Sequence, residues 1–359
     1  MYSPFRHAGS IIAKTRPIHL TFFLTRRCNA KCPFCFYLKS DDAPLQGGEE
    51  LSDGEIERIS RSFGTLLWLA FSGGEIFLRD DLVEVAGTFY RNNRPAIMLF
   101  PTNGLLPEVI REKTEEILRE STRSTVAVKL SLDGLHDRHD EVRRTPGSYE
   151  KTMRTYKLLS GLADRYPNFE LGINTVFCSE NQDEMDNIID FVKGLGQVRT
   201  HTISLVRGNL AEEGFKRVDR RKYRAAIERL ECSLKDRTGA TYRFRGAKVK
   251  AAQDILQRRL IDRTEEKQRR LIPCYAGKIN LVLRENGDVY PCEILTSKMG
   301  NIRDSGYDIN KVLETAEAGK ILRSIGDGEC YCTHECNFIT NILFNPRLYP
   351  GLLKEYLQL

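Results

Sequence analysis

The segment PIHLTFFLTRRCNAKCPFCFY (17–37) joins an apolar run to three closely spaced cysteines. Residues 17–25 are a candidate β-strand, and Cys28, Cys32 and Cys35 follow it in a predicted loop with C-x3-C-x2-C spacing. Three thiolates can hold three irons of a [4Fe–4S] cluster, which leaves the fourth iron open for another ligand. Structural zinc is the alternative, but zinc takes four ligands and this loop offers no fourth Cys or His. Three cysteines within eight residues are also rarely all core thiols.

Outward from this segment, strands and helices alternate as far as residue 206. Predicted strands cover 17–25, 66–74, 96–101, 124–134, 170–177 and 200–206, and predicted helices start near Ser52 and cover 80–93, 107–120, 148–164 and 183–194. Residues 66–74 are mostly apolar up to their glycines, which is typical of a strand buried on both faces of a parallel sheet. Alternating βα units predict an α/β fold with right-handed crossovers, in which ligands bind at the carboxyl ends of the strands.

Length and composition restrict the class of protein. The 359 residues, 41% hydrophobic and 29% charged, suit one large globular domain or two smaller ones. The chain has no apolar run of 18 residues and no signal-peptide pattern, so we expect a cytoplasmic protein without a membrane span. The ten cysteines are then expected to be metal ligands or catalytic thiols and not disulfides. The net charge of +6 is too small to indicate nucleic-acid binding.

A second motif, Ser72-Gly73-Gly74-Glu75, closes the second predicted strand. Its glycines allow backbone carbonyls to approach a ligand, and its carboxylate complements an ammonium group. Together with the cysteine loop, in which Phe34 precedes the third cysteine, this motif resembles the radical S-adenosylmethionine (SAM) enzymes. The resemblance implies a partial (β/α)6 TIM-like barrel over residues 1–210 and a Gly-Gly-Glu motif that binds the SAM amino group. Ile76 stands where that family usually has proline.

Further polar residues match this family at the ends of later strands. An H-D-x-x-R stretch (139–143) supplies an arginine that the resemblance places on the SAM carboxylate, although Arg144 is adjacent and leaves the register open. Thr102-Asn103-Gly104 ends the third strand, as in many members of this family. Polar groups at the end of the fourth strand are implied to bind the ribose and carboxylate of SAM, and polar groups in the fifth and sixth strands are further candidates. The alternative for the candidates in the fifth and sixth strands is that they are polar residues inside the barrel whose hydrogen bonds are made within the protein. The implied SAM contacts are Ser72, Gly73, Gly74, Glu75, Asn103, Ser131, Asp133, Arg143, Asn174 and Ser204.

The pattern changes after residue 270, where five further cysteines occur. KINLVLRENGDVYPC (278–292) predicts a β-hairpin with its turn at residues 285–288. The region resembles the C-terminal auxiliary-cluster domains of radical SAM enzymes, called SPASM with two clusters and twitch with one. Five cysteines are enough for one four-ligand cluster, so the twitch form with one auxiliary [4Fe–4S] cluster is implied. These cysteines are Cys274, Cys292, Cys330, Cys332 and Cys336.

Four of the five are predicted to be ligands, and Cys330 is predicted to be the spare or substitute. The predicted ligands are Cys274, Cys292, Cys332 and Cys336. A zinc site is the alternative, because zinc held by four thiolates is common and His334 is near. Cys178 follows an apolar strand and Cys232 lies in a predicted helix, so both are predicted to be ordinary thiols.

Residues 211–270 separate the predicted barrel from the cysteine-rich region 271–359. They hold 19 lysines and arginines against 10 acidic residues and predict surface-exposed helices. One interpretation is a solvated helical connector, and the other is a positive face near the substrate entrance. The apolar tail (344–359) could dock on the barrel. Membrane attachment is not expected, because few basic residues flank this tail.

The family resemblance also implies a reaction. Reductive cleavage of SAM would give a 5′-deoxyadenosyl radical that abstracts hydrogen from a peptide or small polar metabolite, ending in oxidation or another C–H modification. A reducing partner such as flavodoxin or ferredoxin is implied. The alternative is an iron–sulfur protein that transfers electrons or acts as a scaffold without cleaving SAM. The Gly-Gly-Glu motif and the pair Ser131 and Asp133 favour the enzyme, since a scaffold needs no SAM pocket.

Overall fold

The computed structural model describes residues 1–38, 50–236, 238–239 and 241–359. Its centre is a barrel-like arrangement of six parallel strands that alternate with helices, so the predicted α/β fold is confirmed. The strands are β1 (His19–Thr25), β2 (Trp68–Gly73), β3 (Ile97–Thr102), β4 (Thr125–Ser131), β5 (Phe169–Phe177) and β6 (Thr200–Leu205). The helices between them are α1 (Asp53–Ser62), α2 (Leu82–Asn93), α3 (Pro107–Glu120), α4 (Asp137–Arg143), α5 (Ser148–Ala163) and α6 (Met185–Lys193).

The six strands pair in chain order, and every pair from β1·β2 to β5·β6 is parallel. Their carboxyl ends therefore lie along one edge of the sheet. The residues predicted to bind SAM follow or end these strands, so the topology brings them to this edge.

Alternation along β4 shows how the sequence divides the core from the barrel lumen. Val126, Val128 and Leu130 are fully buried in the apolar core shared with the surrounding helices. Lys129 and Ser131 lie on the opposite face and line the barrel cavity. The predicted alternation of this strand is thereby confirmed, and burial of its aliphatic face contributes to the stability of the barrel.

The predicted C-terminal hairpin is present, but it extends the barrel sheet instead of forming a sheet of its own. β7 (Asn280–Leu283) pairs in parallel with β1, and β8 (Asp288–Tyr290) and β9 (Gly300–Asn301) follow antiparallel. The physical reason is that a six-stranded partial barrel leaves the outer edge of β1 unpaired, and such an edge is satisfied by another strand. The cysteine-rich region is thereby attached to the strand that carries the first cysteine loop.

The segment between the barrel and the hairpin contains α7 (Arg220–Lys235) and α8 (Ala247–Lys267), and it is helical as predicted. The predicted surface exposure is wrong for α8, which buries ten of its residues. Three of its side chains, Lys250, Asp254 and Gln257, line the barrel cavity. The lumen of an open partial barrel would otherwise be exposed to solvent. Helix α8 packs over part of this lumen, which is why Lys250 and Gln257 are buried.

The positive charge of this connector is compensated within the molecule at several places. Arg220 and Arg224 both contact Asp262, at 3.2 and 2.8 Å. Arg229 contacts Asp186 on α6 at 2.8 Å. Cations that are already paired attract an acidic partner less, so these contacts favour the interpretation of α7 and α8 as a structural connector.

The chain ends in four helices, of which the last docks on the connector. They are α9 (Ile309–Leu313), α10 (Ala316–Asp327), α11 (Glu335–Leu343) and α12 (Tyr349–Gln358). Arg259 of α8 and Glu355 of α12 are 2.6 Å apart, so the apolar tail packs on α8. Within the described ranges, no helix combines the length and apolar character that crossing a bilayer requires.

Candidate active site

The cysteine loop follows β1 at the carboxyl edge of the sheet and presents three thiols. The backbone N–H of Ala30 donates to Cys28 Sγ at 3.5 Å, and that of Leu38 donates to Cys35 Sγ at 3.2 Å. Burial raises the pKa of the Cys28 and Cys32 thiols, that of Cys32 to about 11. N–H groups directed at sulfur favour the thiolate, and a metal deprotonates its thiol ligands outright. The loop therefore offers three thiols of the type that bind metals.

Phe34 anchors this loop from within. Its buried ring lies 5.7 Å from that of Phe215, in a small apolar cluster that includes Val206. The Cys35 N–H donates to the Cys32 carbonyl at 3.1 Å and closes a tight turn around the aromatic residue. The aromatic side chain before the third cysteine thus holds the loop in place by packing.

Two glycines at the end of β2 touch the cysteine loop so closely that no side chain fits. Gly73 has a φ of +133°, and a Cβ there would lie 2.4 Å from the Thr25 carbonyl oxygen. A Cβ on Gly74 would lie 2.1 Å from the Arg27 carbonyl oxygen. The Gly74 N–H donates to the Thr25 carbonyl at 2.7 Å. The glycines therefore support the backbone of the loop, a role that the sequence analysis did not include.

Glu75 is buried and connects the end of β2 to the end of β3. Its carboxylate accepts hydrogen bonds from the Thr102 hydroxyl at 2.9 Å and the Asn103 N–H at 2.8 Å. Asn103 in turn donates through Nδ2 to Asn29 Oδ1 at 2.7 Å and lies 3.9 Å from Cys28 Sγ. Burial raises the pKa of Glu75 to about 7, and the donated hydrogen bonds oppose that rise. This chain of contacts ties the Gly-Gly-Glu motif to the cysteine loop.

Asp133 and Arg143 form a buried ion pair beyond the end of β4, with 2.6 Å between Oδ2 and Nη1. Burial lowers the pKa of Arg143, but Cys32 and Asp133 outweigh burial and raise it, so the guanidinium stays cationic beside the cysteine loop. Arg144 is exposed instead and pairs with Glu212. Arg143 is therefore the member of the arginine pair that faces the site.

A cavity of about 290 Å³ occupies the barrel lumen. Three predicted side chains from adjacent strands meet at its carboxyl edge. Ser204 donates to Asn174 Oδ1 at 3.1 Å, and Ser131 lies opposite Asn174 in the β4–β5 register. Ser72 from β2 and Phe36 from the cysteine loop line the same cavity. The loop and the polar edge thus face one space.

These residues fit the implied cluster and SAM. Three thiols share one loop, a cationic guanidinium lies beside Cys32, and the adjoining cavity offers hydroxyl and amide groups. Positive charge stabilises thiolates, and hydroxyl and amide groups can bind a ribose or an amino acid head. The loop could therefore hold a cluster, and the polar edge could hold SAM.

A second group of thiols lies in the C-terminal region. Cys274, Cys292, Cys330 and Cys332 line one cleft of about 40 Å³ among apolar side chains. Burial raises the pKa of all four thiols, that of Cys292 to about 12, and the neighbouring thiols raise it further. The Leu295 N–H donates to Cys292 Sγ at 3.4 Å. Four thiols around one largely apolar cleft suit a cluster with four protein ligands and no open position.

Cys330, and not Cys336, lines this cleft with the other three cysteines, whereas the predicted ligand set had Cys336 in its place. Which cysteines are ligands stays a prediction. Cys336 is the second residue of α11 and lines the barrel cavity together with Glu293 and His334. Helix α11 starts between Cys332 and Cys336, so the Cys332 side chain lines the C-terminal cleft and the Cys336 side chain lines the barrel cavity. His334, which suggested the zinc alternative, likewise faces the lumen.

Two charged residues inside the lumen, Lys129 and Glu335, were not predicted as site residues, whereas Arg207 was a candidate at the end of the sixth strand. Lys129 is half-buried and donates to the Thr202 hydroxyl, and its desolvation lowers its pKa to about 8. The alternation of β4 placed Lys129 on the face of Ser131, so its position was recognisable in the sequence. Arg207 and Glu335 form a 2.5 Å ion pair across 128 positions of chain, and no local pattern indicates such a contact.

The two cysteines outside both groups have different surroundings. Cys178 is fully buried in the small apolar cluster that also contains Phe34, whereas Cys232 is exposed on α7. Neither lines the C-terminal cleft.

Comparison with known proteins shows the family of this chain. Residues 22–192 match the Radical SAM superfamily. An AdoMet-dependent heme synthase of Methanosarcina barkeri (strain Fusaro / DSM 804) is 28% identical over 326 residues, which cover 87% of each chain. The sporulation killing factor maturation protein SkfB of Bacillus subtilis (strain 168) is 26% identical over 59% of this chain and 48% of SkfB. The solved structure of anSMEcpe with bound AdoMet and Cp18Cys peptide matches 95% of this chain and 96% of that one, with a TM-score of 0.60 and 18% identity.

Residues 22–192 therefore form a domain of the radical SAM superfamily. The protein is an enzyme of this class, and its cofactors are a [4Fe–4S] cluster and SAM. The family, fold class and enzyme class expected from the sequence are thereby confirmed. The roles of individual site residues stay predictions.

Proposed function

We propose that this enzyme holds its SAM-cleaving cluster on Cys28, Cys32 and Cys35 and modifies a C–H bond of a substrate in the barrel cavity. The observation that carries the proposal is that the cysteine loop and the polar strand ends border one cavity. When bound, the cluster and SAM together supply a 5′-deoxyadenosyl radical that abstracts hydrogen from the substrate.

The chain's own residues position these groups. Gly73 and Gly74 fix the backbone of the loop, and Arg143 keeps a positive charge beside Cys32. The polar edge at Asn174 and Ser204 offers hydrogen bonds to SAM. The surrounding lumen limits access of water to the reacting groups.

We further propose an auxiliary [4Fe–4S] cluster on the four thiols that line the C-terminal cleft. Four protein ligands leave no exchangeable position, which suits electron transfer and supports a net oxidation of the substrate. A reducing partner such as flavodoxin or ferredoxin supplies electrons. All ten cysteines lie in the described residues and are unpaired, which supports a reducing, cytoplasmic setting.

A peptide is the substrate class that we propose first, supported by the likeness to the maturation protein SkfB. A heme-related substrate is the second candidate, because the likeness to the heme synthase extends over 87% of both chains. Titration of the protein with an iron porphyrin separates the two candidates. A shifted porphyrin absorbance with saturable binding favours the second, and no binding favours the first.

The assignment of the first cluster is tested by the yield of 5′-deoxyadenosine after anaerobic reduction with SAM. The wild-type protein is expected to form it, and the triple variant Cys28→Ala, Cys32→Ala and Cys35→Ala is not. Cys232→Ala, an exposed thiol on α7, is the matched control and keeps the activity. Continued SAM cleavage in the triple variant would overturn the assignment. No cleavage by cluster-loaded wild-type protein would favour an electron-transfer or scaffold role.

A further inference from the structure

Three side chains of metal-binding types converge at the wall of the barrel lumen, beside the C-terminal cleft, since Cys292 of that cleft lines the same small cavity as all three. Glu293, His334 and Cys336 each offer one ligand atom, and these atoms all lie within 4.8 Å of one another. The side chains of His334 and Glu293 are only 2% and 7% exposed. Glu293 follows the hairpin, whereas His334 and Cys336 flank the start of α11, so two separate segments of chain build this group.

The chemistry of the donors restricts the ion. A thiolate, an imidazole and a carboxylate form a mixed S, N and O set, which zinc accepts readily. Magnesium and calcium prefer oxygen ligands alone. A borderline-soft divalent ion such as zinc is therefore the one that this set would bind.

The distances require only a small adjustment for an ion to bind. Two ligands of one tetrahedral zinc lie roughly 3.4 Å apart, given metal–ligand bonds of about 2.0–2.3 Å. His334 Nε2 and Glu293 Oε2 are 2.6 Å apart, as a hydrogen-bonded pair. Binding of zinc would replace this hydrogen bond, separate the two atoms slightly and draw Cys336 Sγ closer.

Unpartnered imidazole nitrogens supply a second observation. His334 Nδ1 is buried and has no hydrogen-bond partner among the described residues, and the same holds for both ring nitrogens of His19. His19 is 1% exposed and lines a small cavity together with all three members of the group. Buried polar atoms normally have partners, so these nitrogens leave hydrogen-bonding capacity beside the three ligand atoms that a bound ligand could use.

We propose that Glu293, His334 and Cys336 bind one zinc ion at the wall of the barrel cavity. All three residues line that cavity, so the fourth position of the ion faces the space for the substrate. Zinc with three protein ligands and one open position acts as a Lewis acid and holds an oxygen ligand. The site would anchor a substrate through a carbonyl or carboxylate oxygen. This inference does not rest on the SAM reaction or on the auxiliary cluster.

The test uses the full-length protein, loaded with iron and sulfide, exposed to zinc sulfate and then desalted. We expect about one zinc per chain by mass spectrometry of the metals, with one sulfur ligand and otherwise nitrogen and oxygen ligands by zinc X-ray absorption. Zinc surrounded by four sulfurs would place the ion in the C-terminal cleft and would overturn the proposal. Absence of bound zinc would also overturn it.

Variants test the same assignment independently. Cys336→Ala and His334→Gln are expected to lose this zinc while they keep the iron of both clusters. Cys232→Ala keeps the zinc. Zinc retained in both lumen variants would contradict the assignment. Because 5′-deoxyadenosine is measured on the same samples, a failure of the zinc site is distinguished from a failure of SAM cleavage. The absorption experiment on wild-type protein needs no variant to fold.

Discussion

The two cysteine groups of this enzyme present their thiols in opposite ways. The loop after β1 carries three thiols from one short segment, and Cys28 is exposed among them. The C-terminal cleft gathers four thiols from three segments spread over residues 274–332 and places them among largely apolar side chains. The loop is shaped by close backbone contacts with Gly73 and Gly74, whereas the cleft is shaped by side-chain packing. The comparison teaches two ways to position thiols. Three thiols that leave one iron free can be held by a single rigid loop, whereas four thiols from distant segments are brought together only when the surrounding domain folds.

The strongest test of the loop is a methyl group at Gly74. A Cβ there meets the backbone carbonyl of Arg27 at 2.1 Å, so the loop itself must move. We expect Gly74→Ala to lose the iron of the loop and to lower 5′-deoxyadenosine formation by about 100-fold, since misplacement by about 1 Å has that effect. Iron in the C-terminal cleft should remain. Iron content and product yield are the measurements.

Gly161→Ala on α5 is the matched control, because a Cβ there meets nothing within 4 Å. It should keep both the iron and the activity. If Gly74→Ala behaves like this control, the close approach of β2 to the loop has no role in holding the cluster.

The second prediction concerns the membership of the cleft. Cys330 lines it and Cys336 does not, so Cys330→Ala should lose about four irons per chain, as expected for one [4Fe–4S] cluster. Cys336→Ala should lose none. SAM cleavage is expected to continue in both variants, because the loop is untouched. Iron analysis and EPR of the two variants measure which one loses the cluster. Loss of iron in Cys336→Ala but not in Cys330→Ala would identify Cys336 as the fourth ligand.

The third prediction compares the two adjacent arginines near the loop. Arg143→Gln leaves Asp133 buried without its partner, which should lower the free energy of unfolding by about 3–5 kcal/mol. Arg144→Gln breaks an exposed pair with Glu212 and should cost at most about 1 kcal/mol. Urea denaturation of both variants measures the difference. Equal costs would show that the buried pair does not stabilise this edge of the barrel.

The smallest effect is expected for the connector that joins the two regions. Because Arg220, Arg224 and Arg229 are already paired with acidic residues, we expect little attraction for a charged substrate. The KM for SAM should change by less than about twofold when salt rises from about 0.05 to about 0.5 M. A strong rise of KM with salt would instead support a positive face near the entrance.

The sequence by itself determined the barrel and the position of the first cluster loop. Strand and helix periodicities are local, so the six βα units and the two faces of β4 were recognisable without a structure. The spacing of Cys28, Cys32 and Cys35 is local as well, and the Gly-Gly-Glu motif lies one unit further along the chain. Together they were enough to indicate the family, because the spacing of ligands within one loop can be read from the sequence without knowing how the chain packs.

Only the tertiary structure decided which distant groups meet. The pairing of β7 with β1, the burial of α8 and the presence of Cys330 at the C-terminal cleft all depend on contacts between segments far apart in the sequence. The start of α11 directs Cys336 into the lumen beside Glu293, a contact that no spacing rule contains. Long-range packing therefore determines the ligand sets that no single loop supplies, because the helix start and the sheet edge that orient them are themselves products of the fold.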